Sequence, residues 1–500
     1  MKLSARTLQI MLAFVIVAVS VVGPQQANAN TNDKIRQIEQ FVEQQRNAGR
    51  IPGISLVIVE KGKTVYQQGF GYADVKTKQP VTGATSFEIG STTKAFTGLA
   101  ILQLEREGRL KRTDDIRKYI PWLELTYNGE PQAITIDQLL HHTSGIASNT
   151  ITLIPESDAA NALESTVQML TSQPLNRKPG SSFEYATINY DVLGLVIEMV
   201  TKKPYDVYMK EHILEPIGMN ESFVGLHQVQ ATEMAAGYKI GWMKARGYTP
   251  PVYRGNIPAG YIVSNTNDIA KWLNVQLGTA PSHAVDQRLI NESHIPDQTV
   301  EPFDENTYYA AGWGIQQNNG KTYVLHAGEN PTFSSYFIMR PDEQLGVAVL
   351  ANMKTGYTTA IGQGVMGLWE GRSASQPHSD SFQELDRIVT LLSIAVVVFG
   401  ALFLGLTLGL VRKLARNQRH WTRLTGKRLP LFILHLLLVA ASSALVISAP
   451  NLLLGGLPWA FIQVWAPASI PLFFSIVLAV CVIYLVFGSL LAFTKKTKAS

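Results

Sequence analysis

A serine and a lysine lie three positions apart in FEIGSTTKAFTGLAI, residues 87–101. On a helix, this spacing places the hydroxyl of Ser91 and the amine of Lys94 on one face. A hydroxyl becomes a good nucleophile when a neighbouring base removes its proton. Lysine can be that base when burial or positive neighbours lower its pKa from about 10.4. The pair is therefore a candidate for nucleophilic catalysis, and a serine that only caps a helix is the alternative.

Two further segments hold candidate site residues. Tyr185 follows a Pro-Gly turn in PGSSFEYATINYDVLG, and a phenol close to a lysine can relay a proton. A packed aromatic ring is the alternative there, and Tyr190 fits that description equally well. His326 stands in VLHAGENPTFSSYF, where a predicted strand meets a glycine. Small residues suit a backbone that passes close to a substrate, and a histidine satisfied at a strand end is the alternative.

Together these segments resemble the three motifs of the serine β-lactamase and penicillin-binding protein superfamily. The matching motifs are Ser91-x-x-Lys94, Tyr185-x-Thr187 and His326-Ala327-Gly328. Flanking text agrees with the class C β-lactamase-like branch, which includes D,D-peptidases, D-aminopeptidases and esterases; the flanks are LLHHTSGI, FEYATINYDVLG, EPIGM and PAGYIVSNTNDIAKWL. The resemblance covers roughly residues 34–369.

The resemblance implies a role for each matched catalytic residue. Ser91 is the nucleophile that forms an acyl-enzyme. Lys94 and Tyr185 share the general-base and general-acid work. His326 takes the first position of the third motif, where many relatives have lysine.

The resemblance also implies which groups bind the substrate. The backbone N–H groups of Ser91 and Glu329 form the oxyanion hole, which holds the charge of the tetrahedral intermediate. Thr187 and Gly328 belong to the substrate-binding surface. No metal and no cofactor are implied, and His142 is expected to belong to a structural turn.

Two positions depart from the usual motifs. Thr187 stands where this branch usually has asparagine, and a hydroxyl lacks the separate donor and acceptor of an amide. His326 replaces a lysine, so a permanent positive charge is lost and a substrate carboxylate is held less firmly at neutral pH. Both changes point towards esterase or peptidase relatives and away from an efficient β-lactamase.

The two ends of the chain predict export and a membrane anchor. Lys2 and Arg6 precede a short apolar run that ends before Ala27-Asn28-Ala29, as in a secretory signal peptide. Near the other end, residues 388–411 and 429–494 contain no Asp, Glu, Lys or Arg, which predicts three transmembrane helices. The predicted order is signal peptide 1–29, hydrolase domain 30–370, linker 371–387, span 388–411, cytoplasmic basic loop 412–429, span 430–449, interfacial loop 450–468, span 469–493 and cytoplasmic tail 494–500.

Basic residues predict the orientation of the chain. The loop between the first two predicted spans and the C-terminal tail are rich in Lys and Arg, so the positive-inside rule places both in the cytoplasm. The hydrolase domain then lies outside, as the signal peptide requires. The formal charge of +5 is explained by these topological residues and indicates no nucleic-acid partner. The single cysteine, Cys481, excludes an internal disulfide.

The pattern of segments predicts an α+β fold. A helix and two strands come first, a long and mostly helical stretch follows, and three strands and a last helix complete the domain. This order favours an antiparallel sheet flanked by helices, with an inserted helical subdomain. The β-lactamase resemblance implies the same architecture, followed by the three transmembrane helices.

The leading hypothesis is a membrane-anchored serine hydrolase that faces outward. Its expected substrates are D-alanyl peptides or esters of the cell envelope, cleaved by a D,D-peptidase or a D-alanyl esterase; β-lactams are further candidate ligands, and the lipid bilayer is the expected partner. One alternative is a β-lactamase. The other is a binding protein that is acylated without turnover and acts as a sensor.

Overall fold

The computed structural model describes residues 31–229, 234–280, 285–373 and 378–497. The predicted signal peptide lies outside the described residues. The strands are β1 Gly53–Glu60, β2 Lys63–Asp74, β3 Gln79–Pro80, β4 Phe87–Glu88, β5 Leu125–Tyr127, β6 Glu130–Gln132, β7 Phe223–Val224, β8 Tyr238–Gly241, β9 Lys244–Gly247, β10 Ile262–Ser264, β11 Thr307–Tyr309, β12 Gly314–Asn318, β13 Lys321–Glu329, β14 Ser334–Arg340, β15 Leu345–Ala351, β16 Arg419–Trp421 and β17 Thr494–Lys496.

The helices alternate with these strands along the whole chain. They are α1 Thr31–Gly49, α2 Lys94–Arg106, α3 Ile136–Leu140, α4 Ala162–Gln168, α5 Ile188–Thr201, α6 Tyr205–Met209, α7 Glu215–Ile217, α8 Ile257–Gly260, α9 Thr266–Gln276, α10 Gln287–Ser293, α11 Tyr357–Trp369, α12 Ser381–Ala415, α13 Arg428–Leu453, α14 Trp459–Trp465 and α15 Ser469–Phe493.

The main sheet has eight strands in the order β11-β12-β13-β14-β15-β1-β2-β3, and every described pair is antiparallel. Its central strand β1 pairs with β15, so early and late parts of the domain meet in the sheet. The predicted α+β class with an antiparallel sheet is therefore confirmed.

The period-two pattern of β1 divides the core into two layers. Ile54, Leu56 and Ile58 face a cluster that includes residues of α1 and α11. Val57 and Val59 face the opposite way, into the larger cluster beneath the inserted helical segments. Successive strand side chains point to opposite faces, so a strand buried on both faces reads as a continuous apolar run.

Three helices, α12, α13 and α15, are long and apolar enough to cross a membrane. Helix α12 begins at Ser381 because the Asp380 carboxylate accepts hydrogen bonds from Phe382 N and Gln383 N. The helix therefore starts before the predicted span 388–411 and takes up the last residues of the predicted linker 371–387. Helix α13 likewise continues through Pro450 to Leu453, into the predicted interfacial loop.

Two predicted loops contain structure that the sequence pattern did not indicate. The basic loop carries β16, which pairs with β17 of the C-terminal tail. The loop between the second and third apolar helices carries α14, which lies against the domain that precedes the apolar helices. Lys239 donates from Nζ to the carbonyls of Gln463 and Val464, both at 2.9 Å, and Ala468 N donates to Ile240 O.

Candidate active site

Ser91 lies on a tight turn that leads directly into α2. The turn, Gly90–Thr93, is a 3-10 helix, and α2 continues from it at Lys94. Strand β4 enters the turn and pairs with β10, while Thr92 Oγ1 donates to Ile89 O at 2.7 Å. The turn therefore fixes Ser91, the candidate nucleophile, in a short segment of chain between a strand and a helix.

The amine of Lys94 is fully buried and has three oxygen neighbours. Its Nζ is 3.0 Å from Ser91 Oγ, 3.1 Å from Thr187 Oγ1 and 2.7 Å from Ala259 O. A neutral amine has two N–H donors and one lone pair. Donation to the Thr187 hydroxyl and the Ala259 carbonyl leaves that lone pair for the proton of the Ser91 hydroxyl. The geometry thus suits Lys94 as the base that activates Ser91.

Burial also tunes the protonation of this lysine. Desolvation lowers the pKa of Lys94 to about 7, and the nearby carboxylate of Asp191 opposes the shift. Asp191 is completely buried on α5, and the Asn256 amide, turned so that its nitrogen faces this carboxylate, donates to both oxygens at 2.8 and 3.1 Å. Sequence reasoning missed Asp191. The available signal was an acid within the apolar run INYDVLGLVI.

Tyr185 stands over the same amine. Lys94 Nζ lies 5.2 Å from the centre of its ring. Burial raises the pKa of Tyr185, and the hydrogen bond with Ser91 opposes this rise. The phenol therefore keeps its proton at neutral pH and sits where it can pass that proton on.

His142, which the sequence assigned to a structural turn, supports Tyr185. It has a positive φ of 56° and is completely buried. Its Nδ1 accepts from Asn189 Nδ2 at 2.9 Å and from Ala186 N at 3.3 Å, and its ring lies 4.3 Å from that of Tyr185. Since Ala186 is the residue after Tyr185, the histidine fixes both the backbone and the ring of the tyrosine.

His326 lines the site but has both ring nitrogens engaged. Its Nδ1 is 2.7 Å from Ala327 O, a group that only accepts, so Nδ1 carries the hydrogen. Its Nε2 then accepts from the Tyr309 hydroxyl at 2.9 Å. Burial lowers the pKa of His326 to about 3, with Lys94 adding to the shift. The ring is therefore neutral at pH 7 and adds no positive charge to the site, and the catalytic role of His326 stays a prediction.

The end of β13 lies against the nucleophile turn. A Cβ placed on Gly90, whose φ is +57°, would stand 2.5 Å from Glu329 N. One placed on Gly328 would stand 2.1 Å from Ile89 O. Two glycines thus let the backbones of Ser91 and Glu329 approach each other, as an oxyanion hole built from both N–H groups requires. The structure brings all seven predicted residues to one region.

Comparison with known proteins shows to which family this chain belongs. Residues 38–362, well over half of the chain, match the beta-lactamase protein family. The chain belongs to the beta-lactamase family. The resemblance predicted from the three motifs is therefore confirmed.

This beta-lactamase family member has relatives of similar length. It is 32% identical over 453 residues to protein flp of Staphylococcus aureus (strain MRSA252). The aligned residues make up 88% of this chain and 87% of that protein. Among solved structures, the octameric penicillin-binding protein homologue from Pyrococcus abyssi has a TM-score of 0.61 at 29% identity, over 71% of this chain and 81% of the other. The D-alanine carboxypeptidase AmpC from Burkholderia cenocepacia, with 20% identity and a TM-score of 0.56 over 68% and 99% of the two chains, shows the shared fold.

A buried amide joins three segments around the nucleophile of this family member. Asn330 Nδ2 donates to Glu88 Oε2 at 2.6 Å and to Gly260 O at 2.9 Å. Burial raises the pKa of Glu88 to about 7, and the bond from Asn330 opposes the rise. Sequence reasoning missed this pair, because a short strand before the motif and a residue after it give no local sign of contact.

A cavity of about 420 Å³ opens beside Ser91. Tyr185, His326 and Glu329 line this cavity together with other residues of β11–β14, with Asp304 just before β11 and with two residues of α11. Asp304 and Glu329 are its charged lining residues, and Lys354 forms an ion pair with Glu329 at 3.6 Å. The wall of this cavity therefore has acidic rather than basic character.

The close contact at Gly90 makes a testable prediction. Gly90→Ala should lower kcat/KM by at least about tenfold, because the new Cβ would push Glu329 N away from the nucleophile turn. Gly320→Ala is the matched control, since Gly320 has a similar φ of +74° and nothing within 4 Å. Steady-state kinetics and thermal unfolding of both variants check this. Equal loss of activity in the two would mean that backbone strain, and not the contact with Glu329, causes the effect.

Proposed function

We propose that this chain is a membrane-anchored serine hydrolase that forms an acyl-enzyme at Ser91 with D-alanyl peptides or esters of the cell envelope. The observation that carries the proposal is the position of the buried Lys94 amine, whose Nζ lies 3.0 Å from Ser91 Oγ and also contacts the Thr187 hydroxyl and the Ala259 carbonyl. Family membership and the fold shared with a D-alanine carboxypeptidase support the same reaction class.

The proposed reaction has two halves. In the first, Ser91 Oγ attacks the substrate carbonyl while its proton passes to Lys94, and the N–H groups of Ser91 and Glu329 hold the oxyanion. The leaving amine or alcohol departs with a proton supplied through Tyr185 and Lys94. In the second half, water repeats the attack on the acyl-enzyme and releases the acid and free Ser91.

The charges that line the cavity beside Ser91 favour substrates that carry no carboxylate near the cleaved bond. His326 is neutral there, and Lys354 is already paired with Glu329. A penicillin or a peptide with a free C-terminal carboxylate would meet the carboxylate of Asp304, because the charges of Glu329 and Lys354 offset each other. An ester or an internal peptide bond avoids this repulsion, and so we favour a D-alanyl esterase or endopeptidase over a β-lactamase.

This charge argument yields a second prediction. Glu329→Gln keeps the backbone N–H but frees the ammonium of Lys354, so KM for a carboxylate-bearing D-alanyl dipeptide should fall several-fold, while KM for a neutral ester should not. Glu305→Gln, a nearby exposed carboxylate outside the cavity lining, is the control. Kinetics on the two substrates measure the effect. A KM that is unchanged for both substrates would show that Glu329 does not select by charge.

The membrane part of the proposal rests on the three apolar helices. We place the catalytic domain outside the membrane, on the side away from the basic loop and tail. The domain joins the first residues of α12, and α14 lies against it from between α13 and α15. Both contacts lie at the end of the helices opposite to β16 and β17, so the packing agrees with this orientation.

The test of the proposed function is the intact mass of the full chain in detergent. A reactive penicillin or an activated D-alanyl ester should add its acyl mass to the wild type and not to Ser91→Ala. Release of product over time would support a hydrolase. A stable adduct without product would favour the sensor alternative, and no adduct with any substrate would overturn the proposal.

A further inference from the structure

A second cavity, of about 360 Å³, lies between the catalytic domain and helix α14. One wall includes Tyr253, Asn256 and Tyr261 of the catalytic domain, and the opposite wall includes Phe461 and Trp465 of α14. The described mechanism gives this cavity no role. Its two walls come from parts of the chain that are about 200 residues apart in sequence.

The cavity adjoins the groups that surround the nucleophile. Tyr261 directly follows α8, whose Ala259 carbonyl accepts from Lys94 Nζ and whose Gly260 carbonyl accepts from Asn330. A Cβ on Gly260 would lie 3.8 Å from the carbonyl carbon of Gly90. The lining residue Tyr261 is thus the sequence neighbour of two carbonyls that hold groups around Ser91, so a ligand in the second cavity contacts the segment of chain that positions Lys94 and Asn330.

Polar contacts hold the α14 wall in place. Lys239, which is buried, donates to two carbonyls of α14. Close by, the Asp386 carboxylate near the start of α12 accepts from Trp242 N at 3.0 Å and Met243 N at 2.6 Å, which holds α12 against the same hairpin. Lys354 Nζ lies 4.9 Å from the ring centre of Trp465 and pairs with Glu329. Through Lys354, the α14 wall therefore also contacts Glu329, which lines the cavity beside Ser91.

The lining indicates what the second cavity binds. Tyr253 and Tyr261 form a ring pair with centres 6.3 Å apart on one wall, and Phe461 and Trp465 stack at 5.4 Å on the other. Aromatic faces flanked by amide and hydroxyl groups and by the Glu156 carboxylate suit the C–H faces and hydroxyls of an uncharged sugar ring. The Tyr261 hydroxyl is buried and has no hydrogen-bond partner among the described residues, and a bound hydroxyl could supply one.

We propose that this cavity is a subsite for an uncharged glycosyl ring of the envelope polymer whose D-alanyl bond is cleaved at Ser91. The inference rests on the proposed function. Because α14 connects two apolar helices, the subsite lies at the membrane surface, and polymer close to that surface fills both cavities at once.

The test compares two substrates on the full chain in detergent. One is a minimal D-alanyl ester, and the other is the same ester joined to an N-acetylglucosaminyl unit. Phe461→Ala should lower the ratio of kcat/KM, sugar-bearing over minimal, by about tenfold. Tyr261→Phe should raise KM for the sugar-bearing ester about threefold or more. Trp459→Ala, on the same helix but outside the cavity lining, should leave the ratio as in the wild type.

A binding measurement separates the sugar from other occupants. Titration with N-acetylglucosamine oligosaccharides should change tryptophan fluorescence saturably in the wild type and not in Phe461→Ala. An unchanged substrate ratio in Phe461→Ala would overturn the subsite, as would displacement by phospholipid without any effect of sugar. Acylation of Ser91 by the minimal ester is measured in every variant, so the loss of the subsite and the failure of the proposed function give different results.

Discussion

Lys94→Met should lower kcat/KM for acylation of Ser91 by about 10³-fold, because the proposed base for the hydroxyl proton is lost. Methionine fills a similar straight volume and needs no hydrogen bond. It also removes an amine that burial penalises, so the unfolding midpoint should stay equal or rise. Single-turnover acylation and thermal unfolding measure the two effects. Retained acylation at the wild-type rate would show that Tyr185 or water is the base.

The pH dependence of the wild type follows from the same amine. Burial lowers the pKa of Lys94 to about 7, and the neutral form is the base, so kcat/KM should rise with pH through about 7 and then level off. The titratable groups that surround this amine are Asp191 on α5, Tyr185, Tyr190, His142 and His326.

Glu88 is a buried group whose titration could imitate this rise in kcat/KM with pH. The pKa of Glu88 is also raised to about 7, by burial. Glu88→Gln is therefore the control, and it should leave the limb near pH 7 in place. A limb that disappears in Glu88→Gln would assign the titration to the carboxyl group and not to Lys94.

The three motifs predict the centre of the site because local spacing fixes it. Ser91 and Lys94 belong to one turn and one helix, and the order strand, helical insert, strand follows from hydrophobic periodicity. The sheet class and the family followed from these local signals and are confirmed. The sequence also shows that Thr187 and His326 depart from the usual motifs. The hydrogen bond from Lys94 to Thr187 adds that a hydroxyl at this position still serves as an acceptor for the lysine.

Contacts between distant segments could not be predicted in the same way. The bond from Asn330 to Glu88 spans 242 residues and depends on how β13 and β4 pack. The contact of Lys239 with α14 spans more than 220 residues and joins two parts that composition assigns to different environments. A single sequence carries periodicity and local motifs, but it carries no record of which remote carbonyl satisfies a buried amine.

Tyr185→Phe should lower kcat/KM for a D-alanyl ester with a poor leaving group by about 10²- to 10³-fold. The phenylalanine ring keeps the contact with His142, so the position of the ring and the stability of the domain should change little. What is lost is the hydroxyl beside Ser91, which we propose supplies the proton to the departing alcohol or amine.

The dependence on the leaving group separates this role from a structural one. The nitrophenolate released from a nitrophenyl ester is a stable anion and needs little proton donation, so Tyr185→Phe should slow the cleavage of this ester about tenfold less than that of the unactivated ester. Tyr190→Phe is the matched control, because Tyr190 donates to Leu140 O and also lies close to Lys94. If both esters lose activity equally in Tyr185→Phe, the phenol positions Ser91 or Lys94 and does not act as the acid, since only proton donation depends on the basicity of the leaving group.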